Sequence, residues 1–308
     1  MGAIAVQRAW GARTIGGARL AILGVSLLLA SAPHALAQAA AGQPPPEAPV
    51  LSDPDRPDVT NGARLVGIGL LQVEAGGLFT RPAAGQRAFG TPLTARIGLF
   101  EWLEARIGTE GLLVQSDGTT RVTGYGNTQV GAKLRLWADA GGIPVVSILP
   151  ALNLPTANAR DGLGSGLVEG TIVVLTGADL GHHAHVDANY GIGAIGDSAT
   201  GSRFAQHLVS VSTSDAVTDN WSPYLEIFWF SRQSAAGGSA TGLDGGAIYQ
   251  IGTRLAVDGG MQFGLSRDAP GFAVFGGMSV LVGNVLGRHG TVARQRQAER
   301  RLHGQPHL

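Results

Sequence analysis

About twelve stretches of this chain alternate apolar and polar residues with the period of a β-strand, and no convincing amphipathic helix lies between them. They fall near 66–79, 91–99, 102–111, 125–136, 144–154, 167–177, 183–195, 204–215, 222–231, 244–252, 255–265 and 272–282. Most have the roughly 9–11 residues that a tilted strand needs to cross a bilayer. This repetition constrains the chain more than any other feature. The fold must be all-β, and every strand must find partners for both of its edges.

A soluble sandwich also alternates, with its polar face in water. Two features favour a closed antiparallel transmembrane β-barrel of outer-membrane type, with about twelve strands. The connections alternate in length. Those near 80–90, 112–124, 155–166, 196–203 and 232–243 are long and rich in Gly, Ser, Thr and Asp, whereas those near 100–101, 178–182, 216–221 and 253–254 are short. Residues 137–143 are intermediate, and 266–271 form a short member of the long class. Outer-membrane barrels pair long external loops with short periplasmic turns. Aromatics also gather near strand ends, at Phe79, Phe100, Trp102, Trp137, Trp221, Tyr224 and Phe230, as interfacial girdles require. In lipid every backbone N–H and C=O needs an internal partner, which a closed sheet supplies. The 48 glycines among 308 residues suit a curved wall with room inside.

Parity then assigns the charges. In LLQVEAGGLF, residues 70–79, Gln72 and Glu74 oppose Val73, Ala75 and Phe79. The same argument turns Arg96, Glu104, Arg106, Lys133, Arg135, Glu169, Asp187, Glu226 and Asp258 inward, because a charge facing lipid is costly. Acids and bases are mixed in this lining. They either brace the barrel as a mutually satisfied network, the favoured reading, or line a solute path. Twelve strands enclose less than a sixteen-stranded porin, so a narrow path is expected and a wide pore is not.

The remaining segments bound the biology. Residues 1–37 combine Arg8, Arg13 and Arg19 with the apolar run LAILGVSLLLASA and an A-x-A-like site at Ala35 and Ala37. That is the pattern of a cleaved secretory signal peptide. Residues 38–64 read as a flexible Pro/Ala-rich leader, 65–283 as the barrel, and 284–308 as a basic, solvated tail with five arginines. The absence of cysteine excludes disulfides and thiolate metal sites. Zero net formal charge argues against nucleic-acid binding.

Three motifs read as structural. GIGAIG, residues 191–196, lacks the following helix that a dinucleotide site needs. HHAH, residues 182–185, offers His183 and His185 on one side of a strand but no matching donors for zinc. Ser210 and His207 lie on opposite faces of one strand, which separates a nucleophile from its base. No enzymatic activity, metal or cofactor is expected.

The stretch DRPDVTNGARLVGIGLLQVEAGGLF, residues 55–79, resembles the opening signature of the outer-membrane MetA-pathway of phenol degradation family. The signature residues are Arg56, Pro57, Gln72, Glu74 and Gly76. Similar stretches follow in order: LTARIGLFEWLEARIG, GNTQVGAKLRL, YLEIF, and the late strand pair with Asp258. Val282 and Gly283 hold the place of the terminal aromatic that such barrels carry, and the fourth strand begins GYGNT where an acid is usual after Gly. The resemblance implies an outer-membrane channel or transporter, in some members linked to aromatic compounds, and brings no catalytic residues. The expectation is passive passage of small solutes through the outer membrane of a Gram-negative bacterium. Its partners are outer-membrane lipid, the solute, and the barrel-assembly machinery during insertion. A structural or partner-anchoring barrel without conductance is the alternative. The selectivity candidates are Glu74, Arg96, Glu104, Arg106, Lys133, Arg135, Glu226 and Asp258.

Overall fold

A computed structural model describes residues 49–56, 59–82, 86–138, 144–181 and 183–287. The signal-peptide reading, residues 38–48 of the leader, Pro57, His182 and the tail beyond 287 lie outside the described residues. Among the described residues, fifteen strands form one antiparallel sheet: β1 (Leu70–Arg81), β2 (Arg87–Gly90), β3 (Leu93–Phe100), β4 (Leu103–Thr109), β5 (Leu112–Ser116), β6 (Arg121–Tyr125), β7 (Thr128–Trp137), β8 (Val145–Leu154), β9 (Glu169–Leu180), β10 (Ala184–Asp197), β11 (Ser202–Asp215), β12 (Trp221–Phe230), β13 (Ala240–Ile251), β14 (Leu255–Gly264) and β15 (Phe272–Asn284). The last strand pairs with the first, from Leu70↔Asn284 to Arg81↔Phe272 with one bulge after Leu71, so the sheet closes.

The wall of this barrel is twelve strands round. β2 continues into β3 across Thr91 and Pro92, β4 into β5 across Glu110 and Gly111, and β6 into β7 across Gly126 and Asn127. The three breaks lie side by side and bond to one another, through Thr91 N–H to Leu112 O, Glu110 N–H to Asn127 O and Gly126 N–H to Gly111 O. Pro92 has no N–H to give, and Gly111 adopts a left-handed φ of 65°, which a side chain would strain. The ladder steps here because the sequence cannot continue it straight.

This corrects the loop expectation. Much of 80–90 and 112–124 is strand, as β2, β5 and β6. The connection expected at 196–203 shrinks to 198–201. The loop between β5 and β6 is tight. Asp117 there accepts N–H bonds from Thr120 and Thr119, which pull its carboxyl down to about 2. The connections at 155–168, 231–239 and 265–271 crown one end, the loop end. The other, the turn end, carries both ends of the barrel domain.

Outward positions are apolar, among them Ile107, Ile172, Ile192, Val209, Leu225, Ile227 and Met261. Phe100 and Trp102 stack at 5.6 Å, and Trp137 and Trp221 are also exposed, giving a girdle at the turn end. Phe79 and Phe272 meet edge to face at 6.2 Å toward the loop end. Tyr224 and Phe230 do not join a girdle. Even-numbered residues of β12 face the lumen, so both are buried inside.

Candidate functional site

The barrel is not empty. Residues 51–56 and 59–69 lie within the barrel, and the segment enters at the turn end, where Leu51 N–H bonds Thr253 O. They rise through the lumen to Val59 and return to start β1, the last step tied by a bridge from Ile68 to Gly98. Val59, Thr60, Asn61, Ala63 and Val66 are buried inside the wall. The flexible-leader expectation is therefore corrected for 49–56 and 59–64, which form a plug. Pro and Ala gave no hydrophobic period, but the plug needs none. It is held through its backbone, a few charged side chains and the isolated apolar contacts of Val59, Ala63 and Val66.

Those contacts use the predicted lumen residues. Arg96 and Lys133 are completely shielded from solvent. Arg96 donates to both oxygens of Glu104, at 3.0 and 3.1 Å, to Glu74 at 2.8 Å, and to the backbone carbonyl of Asp53 at 3.0 Å. Asp55, from the plug, pairs with Arg106, with Lys133 at 3.2 Å, and with Arg96 at 3.6 Å. Three carboxylates (Asp55, Glu74 and Glu104) thus face three cations (Arg96, Arg106 and Lys133). Lys133 also donates to Gly62 O at 2.7 Å, and Val66 N–H donates to Glu104 at 2.8 Å. Desolvated charges are tolerable when paired and hydrogen-bonded in this way.

A second set holds the tip. Glu226 accepts the N–H groups of Val59 and Thr60 at 2.8 Å each and the Thr60 hydroxyl at 2.7 Å. The hydroxyls of Thr60 and Ser210 lie 2.8 Å apart, and Ser147 donates to Ala63 O at 2.7 Å. The Asn189 amide faces the backbone of Asn61. Above the tip, Val59 packs with Leu208, Phe228, Phe230 and Ala240. A second apolar layer joins Leu163 and Ala157 of loop 155–168 to Leu78, Leu113 and Phe275 of the wall. Plug and loop thus both pack into the lumen.

The signature residues of β1 belong to the same device. Gln72 exchanges hydrogen bonds with the Ser52 backbone at 3.0 and 3.1 Å. Arg56 reaches Asp258 at 3.3 Å, and its guanidinium occupies the space beside Gly76 and Gly277. A Cβ at either glycine would collide with it. Glycine at 76 therefore makes room for the plug.

Two expected positions differ. Arg135 keeps its inward parity but sits half-exposed near the end of β7 and takes no part in the cluster. Asp187 joins a separate network at the turn end, where His185 lies 3.2 Å from Asp187 and 2.6 Å from Asp179, and Asp179 meets Arg64 at 2.7 Å. Ser210 faces the plug while His207 faces outward to the Tyr190 hydroxyl at 2.9 Å, so the two do not meet. GIGAIG lies within β10 and leads into β11 without a helix. Sequence reading missed Asp55, which is central to the cluster, because it lies outside any alternating run.

A family model described as "Putative MetA-pathway of phenol degradation" matches residues 54–282. None of the curated proteins compared with the chain matches it. Among solved structures, the NanC porin aligns at 12% identity and TM-score 0.48, over 68% of this chain and 98% of that one. The translocator domain of the autotransporter NalP from Neisseria meningitidis aligns at 14% identity and TM-score 0.44, over 68% and 88%. An anion-selective porin from Comamonas acidovorans aligns at 11% identity and TM-score 0.37, over 69% and 98%.

Proposed function

The chain belongs to the MetA-pathway of phenol degradation family, and from that premise we propose that it is an outer-membrane transporter for small solutes whose resting state is closed by its own N-terminal segment. The observation that carries this reading is the nature of the seal. The plug is held by ion pairs and hydrogen bonds to the wall, and its polar contacts can exchange for water as it moves. Its apolar contacts come from three small or medium side chains, Val59 at the tip, Ala63 against Leu149 and Leu175, and Val66 against Leu281. Solutes would enter between the external loops and leave past the turn end once the segment shifts. Weak, multiple contacts along the lumen would let them pass. The apolar belt and aromatic girdle support placement in the outer membrane of a Gram-negative bacterium, reached through a cleaved signal peptide. A solute with an aromatic ring is the reading that the family description supports.

The completeness of the seal favours one other reading, a non-conducting barrel that serves the envelope structurally. A single experiment separates them. Full-length protein is placed in a planar bilayer, and single-channel current is compared with that of Asp55→Asn. The transporter reading expects rare openings in the native chain and more frequent ones in the variant. A barrel that stays silent in both, while folded and inserted, would leave the structural reading.

A further inference from the structure

The outer face of the barrel carries a row of arginines at its loop end. Arg81 closes β1, Arg87 opens β2 and Arg121 opens β6. The register Thr80↔Ala88 sets Arg81 beside Arg87. Arg87 pairs with Ser116 of β5, and Ser116 pairs with Arg121. Parity turns the whole row outward. Thr80, Ala88 and Gln115, one residue along each strand, are buried on the inner face. Arg81, Arg87 and Arg121 are exposed. Three strand spacings separate the ends of the row, a span of about 14 Å.

This row has no counter-charge of its own. Among the described residues, none of the three guanidinium groups forms an ion pair or a side-chain hydrogen bond. The acids of the adjoining connections are engaged by backbone. Asp117, in the β5–β6 loop, accepts Thr119 and Thr120 N–H at 2.9 and 2.7 Å. Asp268, in loop 265–271, accepts Gly238 N–H at 2.6 Å. Like charges side by side on a sheet are destabilising, and Arg81 and Arg87 are direct neighbours. An anion laid across the row relieves that repulsion. The next outward row toward the turn end is apolar, with Phe79 opposite Phe89 and Phe89 opposite Val114. The arginines therefore cap the upper edge of the apolar belt, at the level of lipid head groups. A guanidinium presents a planar fork of donors that matches phosphate oxygens. A row this long fits a head group with more than one phosphate, and the phenyl rings beneath it meet acyl chains.

We propose that Arg81, Arg87 and Arg121 form a docking surface for a phosphorylated lipid of the leaflet that faces the loops. Its phosphates lie on the guanidinium row and its acyl chains run down over Phe79 and Phe89. This surface is independent of passage through the lumen. Full-length protein in detergent is titrated calorimetrically with bisphosphorylated lipid A, with the same lipid stripped of phosphate, and with inorganic phosphate. Saturable binding of lipid A is expected, at least about tenfold tighter than its dephosphorylated form and weakened by added salt. Inorganic phosphate is expected not to bind over the same range. Arg87→Gln is expected to weaken lipid A binding about fivefold, as for one arginine at an anionic lipid surface. The triple substitution Arg81→Gln, Arg87→Gln and Arg121→Gln is expected to weaken it on the order of a hundredfold. Arg254→Gln, exposed at the turn end, is expected to leave binding unchanged. Heat-modifiable gel mobility checks that each variant is folded, and Arg87→Gln alone carries the test if the triple variant is not. A row that only keeps the rim soluble gives equal binding of the two lipids, which overturns the proposal. So does inorganic phosphate binding as tightly as lipid A, or lipid A binding unchanged in the folded variants. Loss of a self-associated form in the triple variant, with lipid binding intact, would assign the row to a second copy of the chain instead.

Discussion

The plugged lumen and a cavity at the loop end, between loop 155–168 and the β10–β11 connection, both hold buried carboxylates, yet they are solved differently. In the lumen, Asp55, Glu74 and Glu104 face Arg96, Arg106 and Lys133, and the charges cancel across the join between plug and wall. In the cavity, Glu169 accepts from Ser165 and Gly196 N–H, and Asp197 from Ala199 and Ala235 N–H. The difference teaches that burial alone does not give a carboxylate its role. A buried acid matched by a base across two segments holds those segments together. A buried acid that accepts backbone N–H groups from two connections, as Asp197 does from Ala199 and Ala235, ties those connections to each other.

The comparison can be broken most strongly at Arg96, which connects Glu74, Glu104 and the plug backbone. Arg96→Ala leaves buried acids without their partner. It is expected to cost about 3–5 kcal/mol, read by denaturant unfolding of the barrel in detergent micelles. Asp258→Asn removes the charge that faces Arg56 at 3.3 Å. Loss of about 1.5–3 kcal/mol of plug retention is expected, seen as faster protease cleavage within 51–69. Thr60→Val deletes one hydroxyl from the Glu226 cradle and should weaken retention by about 1 kcal/mol in the same assay. At the small end, Ser198→Lys, at an exposed position beside the cavity, should change unfolding free energy by no more than about 0.5 kcal/mol. A large stability loss there would mean that the exposed rim of the cavity is itself a brace.

The wall was legible in the sequence because each strand repeats one signal, an apolar side chain on every second residue. Parity alone placed Glu74, Arg96, Glu104, Arg106, Lys133 and Glu226 on the inner face, where they are buried. The plug was not legible. Its contacts join residues far apart in sequence, such as Val59 and Glu226, and many run through backbone groups that any sequence carries. Arg56 could be found only through the signature that couples it to Gln72, Glu74 and Gly76, and Asp55 beside it was missed. The structure supplies the reason for that coupling, since Gly76 leaves space for Arg56 and Gln72 clasps Ser52. Two buried acids at the loop end escaped for another reason. Glu110 sits in a strand break and Asp197 at a strand end, where alternation no longer assigns a face.

The central claim is that residues 51–56 and 59–69 close the lumen. The chain has no cysteine, so a single engineered pair can test this cleanly. Thr60 and Ser210 present hydroxyls 2.8 Å apart across the join between plug and wall. In the doubly substituted chain, Thr60→Cys with Ser210→Cys, the account predicts that a disulfide forms in the folded barrel under mild oxidation. The tethered barrel then passes no current, and reduction restores openings. Failure of the two cysteines to join, or steady current through the tethered barrel, would contradict it.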